Sequence, residues 1–354
     1  MKTSLFVLAC MVMMAGAVGA AEYPYVYRGM RPLGMGGAFT AVSDDANALF
    51  YNPAGLASIE KVSVSFFPLE FEISENTLDL YGDAMDVDSD SEQEVAEFLR
   101  SHMGDRARLA VNLFPHYSMP RFAFGVLGTV RADTEIHDRQ YPKAVIHGVN
   151  DLGIGAGYAH PLLDETLLLG ASAKFIRRQS IMEEYSAVDI ASEDFDETIR
   201  DDLKDGSGIL VDLGMIYKLD NVLLPGLRAG VSASNLVGSK LGDAEDMKSH
   251  VDLGLAYVMD LGIGKMTLGA DYVDLFSQYS GDDDLAKRIR VGAEWKFPAI
   301  ASVRAGFHQG YFTCGATIDA WVVRIDALTY AEELGAYAGQ RSDRRYTVSL
   351  DFGL

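Results

Sequence analysis

Apolar and polar residues alternate along the end of the chain, over residues 344–354. Every second residue from Tyr346 to Leu354 is apolar, and the residues between them are polar or glycine. A period of two places the two sets on opposite faces of a β-strand. An apolar face that continues to the last residue needs a nonpolar neighbour. The pattern therefore indicates the closing strand of a membrane β-barrel, with lipid as that neighbour.

The same alternation recurs along most of the chain and predicts an all-β fold of about fourteen strands. The alternate positions carry Arg, Asp, Glu, Lys, Gly and Ser, which suit a polar barrel lumen. A soluble β-sandwich has the same period, but its apolar face points to the core and its polar face to water. One strand alone therefore does not distinguish the two folds. Most stretches approach the roughly ten residues that a tilted strand needs to cross a bilayer. The predicted strands are 61–73, 106–119, 120–134, 143–160, 165–188, 207–219, 226–236, 248–259, 265–276, 286–297, 300–308, 311–319, 321–331 and 344–354.

The connections between these strands form a second, independent pattern. Odd-numbered connections are mostly long and even-numbered ones mostly short, with exceptions at 308–311 and 219–226. Long outer loops that alternate with tight periplasmic turns are typical of a transmembrane antiparallel β-barrel. We therefore predict that fold, located in the bacterial outer membrane.

The N-terminus predicts export. A lysine at position 2 precedes an apolar run from Leu5 to Val18, and small residues follow, which predicts a signal peptide over residues 1–21. Cleavage would leave Cys314 as the only cysteine, which excludes an intramolecular disulfide. No later stretch reaches the roughly 18 apolar residues of a membrane helix. The net charge of −21 argues against a nucleic-acid partner.

Negative charge gathers in two long loops, 74–105 and 189–206. Solvated loops that keep the outer surface soluble explain this charge. The alternative is that divalent cations bridge these carboxylates to lipopolysaccharide, which is a predicted partner together with outer-membrane lipid.

Both acidic loops also contain a short helical pattern with one apolar face. The two faces pack on the barrel rim or on each other, or they receive an apolar ligand. Their candidate ligand contacts are Phe98, Leu99, Met103, Phe195, Ile199 and Leu203.

The sequence contains no pattern that predicts catalysis, a cofactor or a metal. The seven histidines are scattered and none has metal-ligand spacing. We therefore expect a protein that is not an enzyme. Charged residues at lumenal strand positions instead predict an ion-pair network that fills the barrel. Its predicted cations are Arg288, Arg290, Arg304, Arg324 and Arg345, and its predicted anions are Asp212, Asp252, Asp271, Glu294, Asp326 and Asp351.

Residues 22–60 lack the alternation of a barrel wall and predict a compact plug of turns and a short helix. The segment contains RPLGMGGAF and then AVSDDANALFYNPAGL, in which Asn52-Pro53 ends the helical stretch. Its glycine spacing is that of neither a dinucleotide-binding fingerprint nor a P-loop. This segment resembles the N-terminal region of FadL-like outer-membrane proteins, a broad group that includes PorV-like and TraF-like relatives. Weaker similarity continues through RIRVGAEWKF to the C-terminus.

The resemblance implies a fourteen-stranded barrel (61–354) that is plugged by an N-terminal hatch (22–60). It implies a hatch motif at Asn52, Pro53 and Ala54, and insertion by the barrel assembly machinery. Leu354 stands where such barrels usually end in an aromatic residue. The resemblance also implies transport of hydrophobic compounds, with long-chain fatty acids as the type substrate, and exit through a lateral gap. Gly125 and Gly128 are the candidates for that gap, because glycine weakens a strand interior. Close packing of these glycines against the hatch is the alternative.

Two other functions fit the same sequence, because fold does not fix function. A PorV-like barrel would act as an accessory or shuttle in protein secretion. A structural surface barrel would have a sealed lumen.

Overall fold

Fourteen antiparallel strands close into a barrel around the N-terminal segment. A computed structural model describes residues 23–138, 140–220, 223–238, 240–279, 284–298 and 300–353. The predicted signal peptide (1–21) and the last residue, Leu354, lie outside the described residues. Within this part of the chain, no helix is both long and apolar enough to cross a membrane.

The fourteen predicted strands are confirmed, with ends that differ by a few residues. The first two strands are each interrupted once. The strands are β1 (Ser63–Ser65 and Leu69–Ser74), β2 (Arg106–Leu113 and His116–Met119), β3 (Phe122–His137), β4 (Lys143–Leu162), β5 (Leu167–Ser186), β6 (Lys204–Lys218), β7 (Leu227–Ser234), β8 (His250–Asp260), β9 (Lys265–Tyr272), β10 (Ile289–Lys296), β11 (Ala301–His308), β12 (Tyr311–Ala320), β13 (Val323–Glu333) and β14 (Ser342–Phe352).

The last strand closes the barrel against the first. β14 pairs with β1 in an antiparallel register that runs from Arg345–Ser74 to Leu350–Leu69. β1 continues the sheet to β2, and β2 continues it to β3. Closure satisfies the backbone groups that a free strand edge would leave unpaired in lipid.

The two faces of the wall are reversed relative to those of a soluble protein. Large apolar side chains point outward, and Leu152 and Val348 are 61% and 53% exposed. Charged side chains point inward, where Arg108, Arg178 and Arg345 are at most 2% exposed. An apolar exterior around a polar interior is the arrangement of a transmembrane barrel.

The wall is much taller on one side than on the other. β4 and β5 have 20 residues each, whereas β7, β9, β10 and β11 have 8 each. On the tall side, the run of exposed apolar residues that includes Leu152 and Phe175 is followed by exposed Asn150 on β4 and Arg177 on β5, and Met182 is a single exposed apolar residue higher on β5. This change from apolar to polar marks the outer boundary of the lipid-facing band. The upper parts of β3–β6 therefore stand above the membrane.

The N-terminal segment occupies the lumen. It contains α1 (Met30–Gly34), α2 (Ala48–Tyr51) and a 3₁₀ helix (Pro53–Ser58). Its apolar side chains are buried, and Met35, Phe39, Leu49 and Leu56 have no exposed area. We call residues 23–60 the hatch.

Four helices in the outer loops cover the inner side of the tall wall. They are α3 (Thr77–Met85), α4 (Glu92–Ser101), α5 (Ala187–Ile190) and α6 (Phe195–Asp202). The helices pack in two apolar clusters with residues of β3, β4 and β5 such as Ile136, Ile146 and Ile181. They therefore close the outer end of the barrel on this side.

The upper edge of β6 has no strand partner in β7, because β7 pairs only with residues 213–218. The loop after β7 contacts this edge instead. The Leu236 N–H donates to the Val211 carbonyl at 2.9 Å, and the Asp243 N–H donates to the Asp205 carbonyl at 3.4 Å. A Cβ atom added at Gly206 would overlap the Leu241 carbonyl, so glycine permits this close contact.

Asp284 joins two outer loops on the low side of the barrel. Its carboxylate accepts the backbone N–H of Ala338 at 2.6 Å and of Ala286 at 2.9 Å. These two donors hold the pKa of the Asp284 carboxyl below its ordinary value. The folded pKa is therefore lower than the unfolded one. The contribution of Asp284 is complete above the unfolded pKa of about 3.9 and is lost as the pH falls through the folded pKa.

We predict that the contact between these two loops loosens in acid. Spin labels at Leu285→Cys and Tyr337→Cys, two exposed positions, report the distance in a Cys314→Ser background. We expect a narrow distance distribution at neutral pH and a broad one only well below pH 4, because the folded pKa lies below the unfolded value of about 3.9. Asp284→Asn should give the broad distribution at every pH. A distribution that stays narrow in acid would contradict the prediction.

Candidate functional site

A belt of inward-facing glycines lets the hatch backbone lie directly against the wall. Seven consecutive strands, β5 to β11, each contribute one glycine, and several are direct cross-strand neighbours, such as Gly292 and Gly306. A Cβ atom added at Gly230 would lie 2.7 Å from the Thr40 carbonyl oxygen. One added at Gly292 would overlap the Met35 carbonyl oxygen. The belt consists of Gly170, Gly214, Gly230, Gly254, Gly269, Gly292 and Gly306.

Asn52 of the predicted hatch motif joins three backbone segments. Its side-chain nitrogen donates to the carbonyls of Thr40 at 2.7 Å and Met215 at 3.2 Å. Its side-chain oxygen accepts the Ala54 N–H at 3.1 Å and so caps the 3₁₀ helix. Pro53 and Ala54 lie against Gly170 of the belt. The motif thus connects two parts of the hatch with β6 and places the chain against β5.

Carboxylates of the wall hold two further parts of the hatch. Asp271 on β9 accepts the backbone N–H groups of Phe39 and Thr40, both at 2.7 Å. Glu294 on β10 pairs with Arg31 at 2.6 Å, and Arg31 also pairs with hatch residues Asp44 and Asp45. Charge-assisted hydrogen bonds of this kind are stronger than neutral ones.

Tyr25, near the start of the hatch, is surrounded by arginines. The guanidinium carbons of Arg28 and Arg131 lie 4.0 Å and 4.1 Å from its ring centroid, which is cation–π geometry. Arg108 donates to its hydroxyl at 2.6 Å, and Arg178 donates to its carbonyl at 3.1 Å. Arg108 and Arg178 were not among the predicted lumenal cations. Nothing in the hatch sequence indicated that Tyr25 would meet them.

Acidic residues of β1 to β4 neutralise these arginines. Arg108 pairs with Glu72 and Asp133, both at 2.7 Å. Arg178 pairs with Asp151 through two hydrogen bonds of 2.7 Å. The outer half of the lumen is therefore crossed by buried ion pairs, which cost desolvation and are stable only when fully paired.

The predicted lumenal network is partly present. Arg304 pairs with Glu294 at 2.9 Å and with Asp326 at 3.2 Å, as predicted. Arg324 also faces the interior, near the periplasmic turns, but it is exposed there and pairs with Asp319, which was not among the predicted anions. Alternation assigns a residue to one face of its strand but does not give its position along the barrel axis. It therefore did not indicate that Arg324 lies at the periplasmic end. In the described residues, no group of three or more His, Cys, Asp or Glu could hold a metal ion.

Two cavities lie on either side of one hatch residue, Tyr27. The upper cavity has a volume of about 110 Å³ and lies between the hatch, the inner wall and the outer loops. The lower cavity, about 840 Å³, opens among the periplasmic turns and is the periplasmic vestibule. Tyr27 lines both cavities. Its hydroxyl donates to Glu70 at 2.7 Å, and its ring packs against Phe50 and Phe114 with centroids 5.0 Å and 5.1 Å away.

The outer-loop residues that were predicted as apolar ligand contacts lie in the two clusters on the tall wall. Leu99, Phe195 and Ile199 are buried, and Phe98 and Leu203 are partly buried beside them. Met103 is half-buried just after α4. This placement agrees with packing on the rim, and contact with a ligand stays a prediction.

The candidate lateral gap at Gly125 and Gly128 stays a prediction. On the β2 side of β3, the pairing ends at Leu113–Gly128 and resumes at His116–Gly125. Every residue of β3 from 122 to 137 pairs with β4. A Cβ atom at Gly125 would contact the ring of Phe114, whereas one at Gly128 would meet nothing within 4 Å. The first two strands are interrupted at Pro68 of β1 and Pro115 of β2, because proline has no N–H for the ladder. Pro115 lies opposite Val126, between the two glycines, and its carbonyl accepts the Val126 N–H at 2.9 Å.

The fold and the plugged lumen define a transmembrane barrel of the FadL-like type. A family model described as the TraF protein of the F plasmid transfer operon matches residues 122–319, which is more than half of the chain. The chain belongs to this family. No curated protein matches it.

Solved structures of hydrocarbon channels have the same fold. The CymD monoaromatic hydrocarbon channel matches with a TM-score of 0.54 and 14% identity, over 94% of this chain and 98% of that one. A deltaS2 mutant of the TodX monoaromatic hydrocarbon channel also gives 0.54 and 14%, over 92% and 97%. The toluene transporter TbuX of Ralstonia pickettii gives 0.51 and 14%, over 93% and 98%. The likeness confirms the predicted FadL-like fold.

Proposed function

We propose that this protein is a bacterial outer-membrane channel for small hydrophobic compounds, closed in this conformation by the hatch. The observation that carries the proposal is the position of Tyr27, which lines both the upper cavity and the periplasmic vestibule. A compound held in the upper cavity is separated from the vestibule by the Tyr27 region of the hatch. Solved channels with the same fold that carry monoaromatic hydrocarbons or toluene support this cargo class.

The size of the upper cavity favours compact compounds over long-chain fatty acids. Its volume of about 110 Å³ is of the same order as the cavity of about 150 Å³ that takes up benzene in an engineered protein. A long acyl chain has several times the volume of one ring. Transport of fatty acids would require a larger rearrangement of the hatch.

The proposed barrier predicts opposite results for two substitutions at Tyr27. Tyr27→Ala removes the ring that packs on Phe50 and Phe114 and should raise the leakage of small solutes several-fold in proteoliposomes. Tyr27→Phe keeps the ring and loses only the hydrogen bond to Glu70, so we expect leakage close to that of the unmodified protein. Equal leakage for the alanine variant and the unmodified protein would argue against a barrier at Tyr27.

Uptake of labelled toluene by cells tests the function itself. A strain without the gene should take up toluene more slowly than the same strain complemented with it. Equal uptake by the two strains would exclude the channel function. Membrane fractionation of the complemented strain tests the outer-membrane location.

An accessory barrel in protein secretion is the second candidate. The ion pairs that cross the outer half of the lumen favour it, because they fill space that a wide pore would need. Co-purification of the barrel with a secreted protein or a secretion complex, together with unchanged toluene uptake on deletion, would select this function. Neither candidate includes catalysis. Lipopolysaccharide and the barrel assembly machinery stay predicted partners.

A further inference from the structure

Arg290 is a cation of the upper cavity for which the described residues supply no acidic partner. It lies on β10, between its cross-strand neighbours Asp271 and His308. Among the described residues, none forms a hydrogen bond or ion pair with its guanidinium group, and its Nε is buried without a partner. The other two cations of the cavity differ, because Lys174 pairs with Asp212 and Arg28 pairs with Glu332.

The carboxylates that line the cavity are already engaged elsewhere. Asp274 accepts the backbone N–H groups of Gln278 at 2.9 Å and Tyr279 at 3.0 Å. Asp252 accepts the Asp274 N–H at 2.8 Å and lies 3.6 Å from the His250 ring nitrogen. Among the described residues, Arg290 thus lies in a partly buried place without an ion-pair partner. Such a charge is costly unless a partner arrives, and a guanidinium group binds a carboxylate through two parallel hydrogen bonds.

Aromatic side chains form much of the remaining wall of this cavity. Tyr23 and Tyr279 pack against each other with ring centroids 5.1 Å apart. The volume of about 110 Å³ suits one aromatic ring by comparison with the cavity of about 150 Å³ that binds benzene. Ring faces and edges attract a further ring through offset or edge-on contacts. The aromatic lining residues are Tyr23, Tyr25, Tyr27, Phe50, Tyr51 and Tyr279.

We propose that the upper cavity binds a single-ring aromatic carboxylate, with its carboxylate on Arg290 and its ring among the tyrosines. This inference rests on the proposed channel function, in which the cavity lies on the path of the cargo. It narrows the cargo from small hydrophobic compounds in general to aromatic acids. Neutral rings would enter the same space without the ionic contact and would bind more weakly.

Calorimetric titration of the purified full-length barrel in detergent tests the site with benzoate, toluene and cyclohexanecarboxylate as probes. We expect benzoate to bind at least tenfold more tightly than either of the others. Arg290→Gln should weaken benzoate binding at least tenfold and leave toluene binding nearly unchanged. Arg290→Lys keeps the positive charge but cannot donate two parallel hydrogen bonds to the carboxylate, so it should give an intermediate affinity. Heat-modifiable mobility on gels verifies that each variant is folded.

Arg324→Gln is the matched control, because Arg324 is an exposed arginine at the periplasmic end and does not line the upper cavity. It should bind benzoate as the unmodified protein does. Benzoate binding that is unchanged in Arg290→Gln, or equal affinities for benzoate and cyclohexanecarboxylate, would overturn the inference. Toluene uptake without benzoate binding would reject the aromatic-acid site and leave the channel standing. Benzoate binding without any uptake would reject the channel instead.

Discussion

Gly292→Ala should displace the hatch and raise the ion conductance of the barrel several-fold. The added Cβ atom would overlap the carbonyl oxygen of Met35, which is backbone and has no rotamer that relieves the overlap. β10 is held by β9 and β11 on either side and cannot move away. Overpacking of this kind typically costs about 1–3 kcal/mol. Conductance of the purified protein in planar bilayers measures the effect.

Gly128→Ala is the matched control for this prediction. It makes the same change within a strand of the same wall, at a position where a Cβ atom would meet nothing within 4 Å. Its conductance should equal that of the unmodified barrel. If both variants conduct alike, the glycine belt does not determine the position of the hatch.

Asn52→Ala should loosen the hatch through a different interaction. The substitution removes donors to the carbonyls of Thr40 and Met215, and it leaves the carbonyl of the buried residue Thr40 without this partner. Each buried polar group left unsatisfied costs about 1–3 kcal/mol. We expect the hatch to become sensitive to protease in detergent while the barrel stays resistant. Mass spectrometry of the cleaved product locates the cuts.

Two further variants define the cause of that effect. Asn52→Asp keeps the shape but places a second oxygen against the same carbonyls, so the hatch should be at least as sensitive as in Asn52→Ala. Asn150→Ala removes an exposed asparagine from the outside of the wall and should leave the hatch resistant. A resistant hatch in Asn52→Ala would show that the contacts of Asn52 are dispensable.

The barrel itself was predictable because its signals are local. Alternation within single strands, together with the alternation of long and short connections, predicted fourteen strands and the closure of the barrel between β14 and β1. The two interruptions in β1 and β2 were not anticipated, although Pro68 and Pro115 mark both of them. Proline has no N–H for the ladder, which accounts for both interruptions.

The site was less predictable than the wall, because it depends on contacts between distant segments. Alternation placed Arg304 and Glu294 in the lumen, and their pairing follows from neighbouring strands. It also placed Arg290 there, but the absence of a partner for it depends on where Asp252 and Asp271 direct their oxygens. The path of the hatch has no period, so the contacts of Tyr25 and Tyr27 required the structure.

The upper edge of β6 is paired with a loop and not with a strand, which distinguishes this part of the wall from the rest. Elsewhere, neighbouring strands complete the wall. At this edge, from the level of Val211 up to Asp205, the loop after β7 supplies backbone groups that a strand would supply, such as the N–H groups of Leu236 and Asp243. This loop is therefore a wall component, and its length matters to the integrity of the barrel. Epitope tags or fluorophores for surface labelling belong in other loops, such as the short connection between β3 and β4.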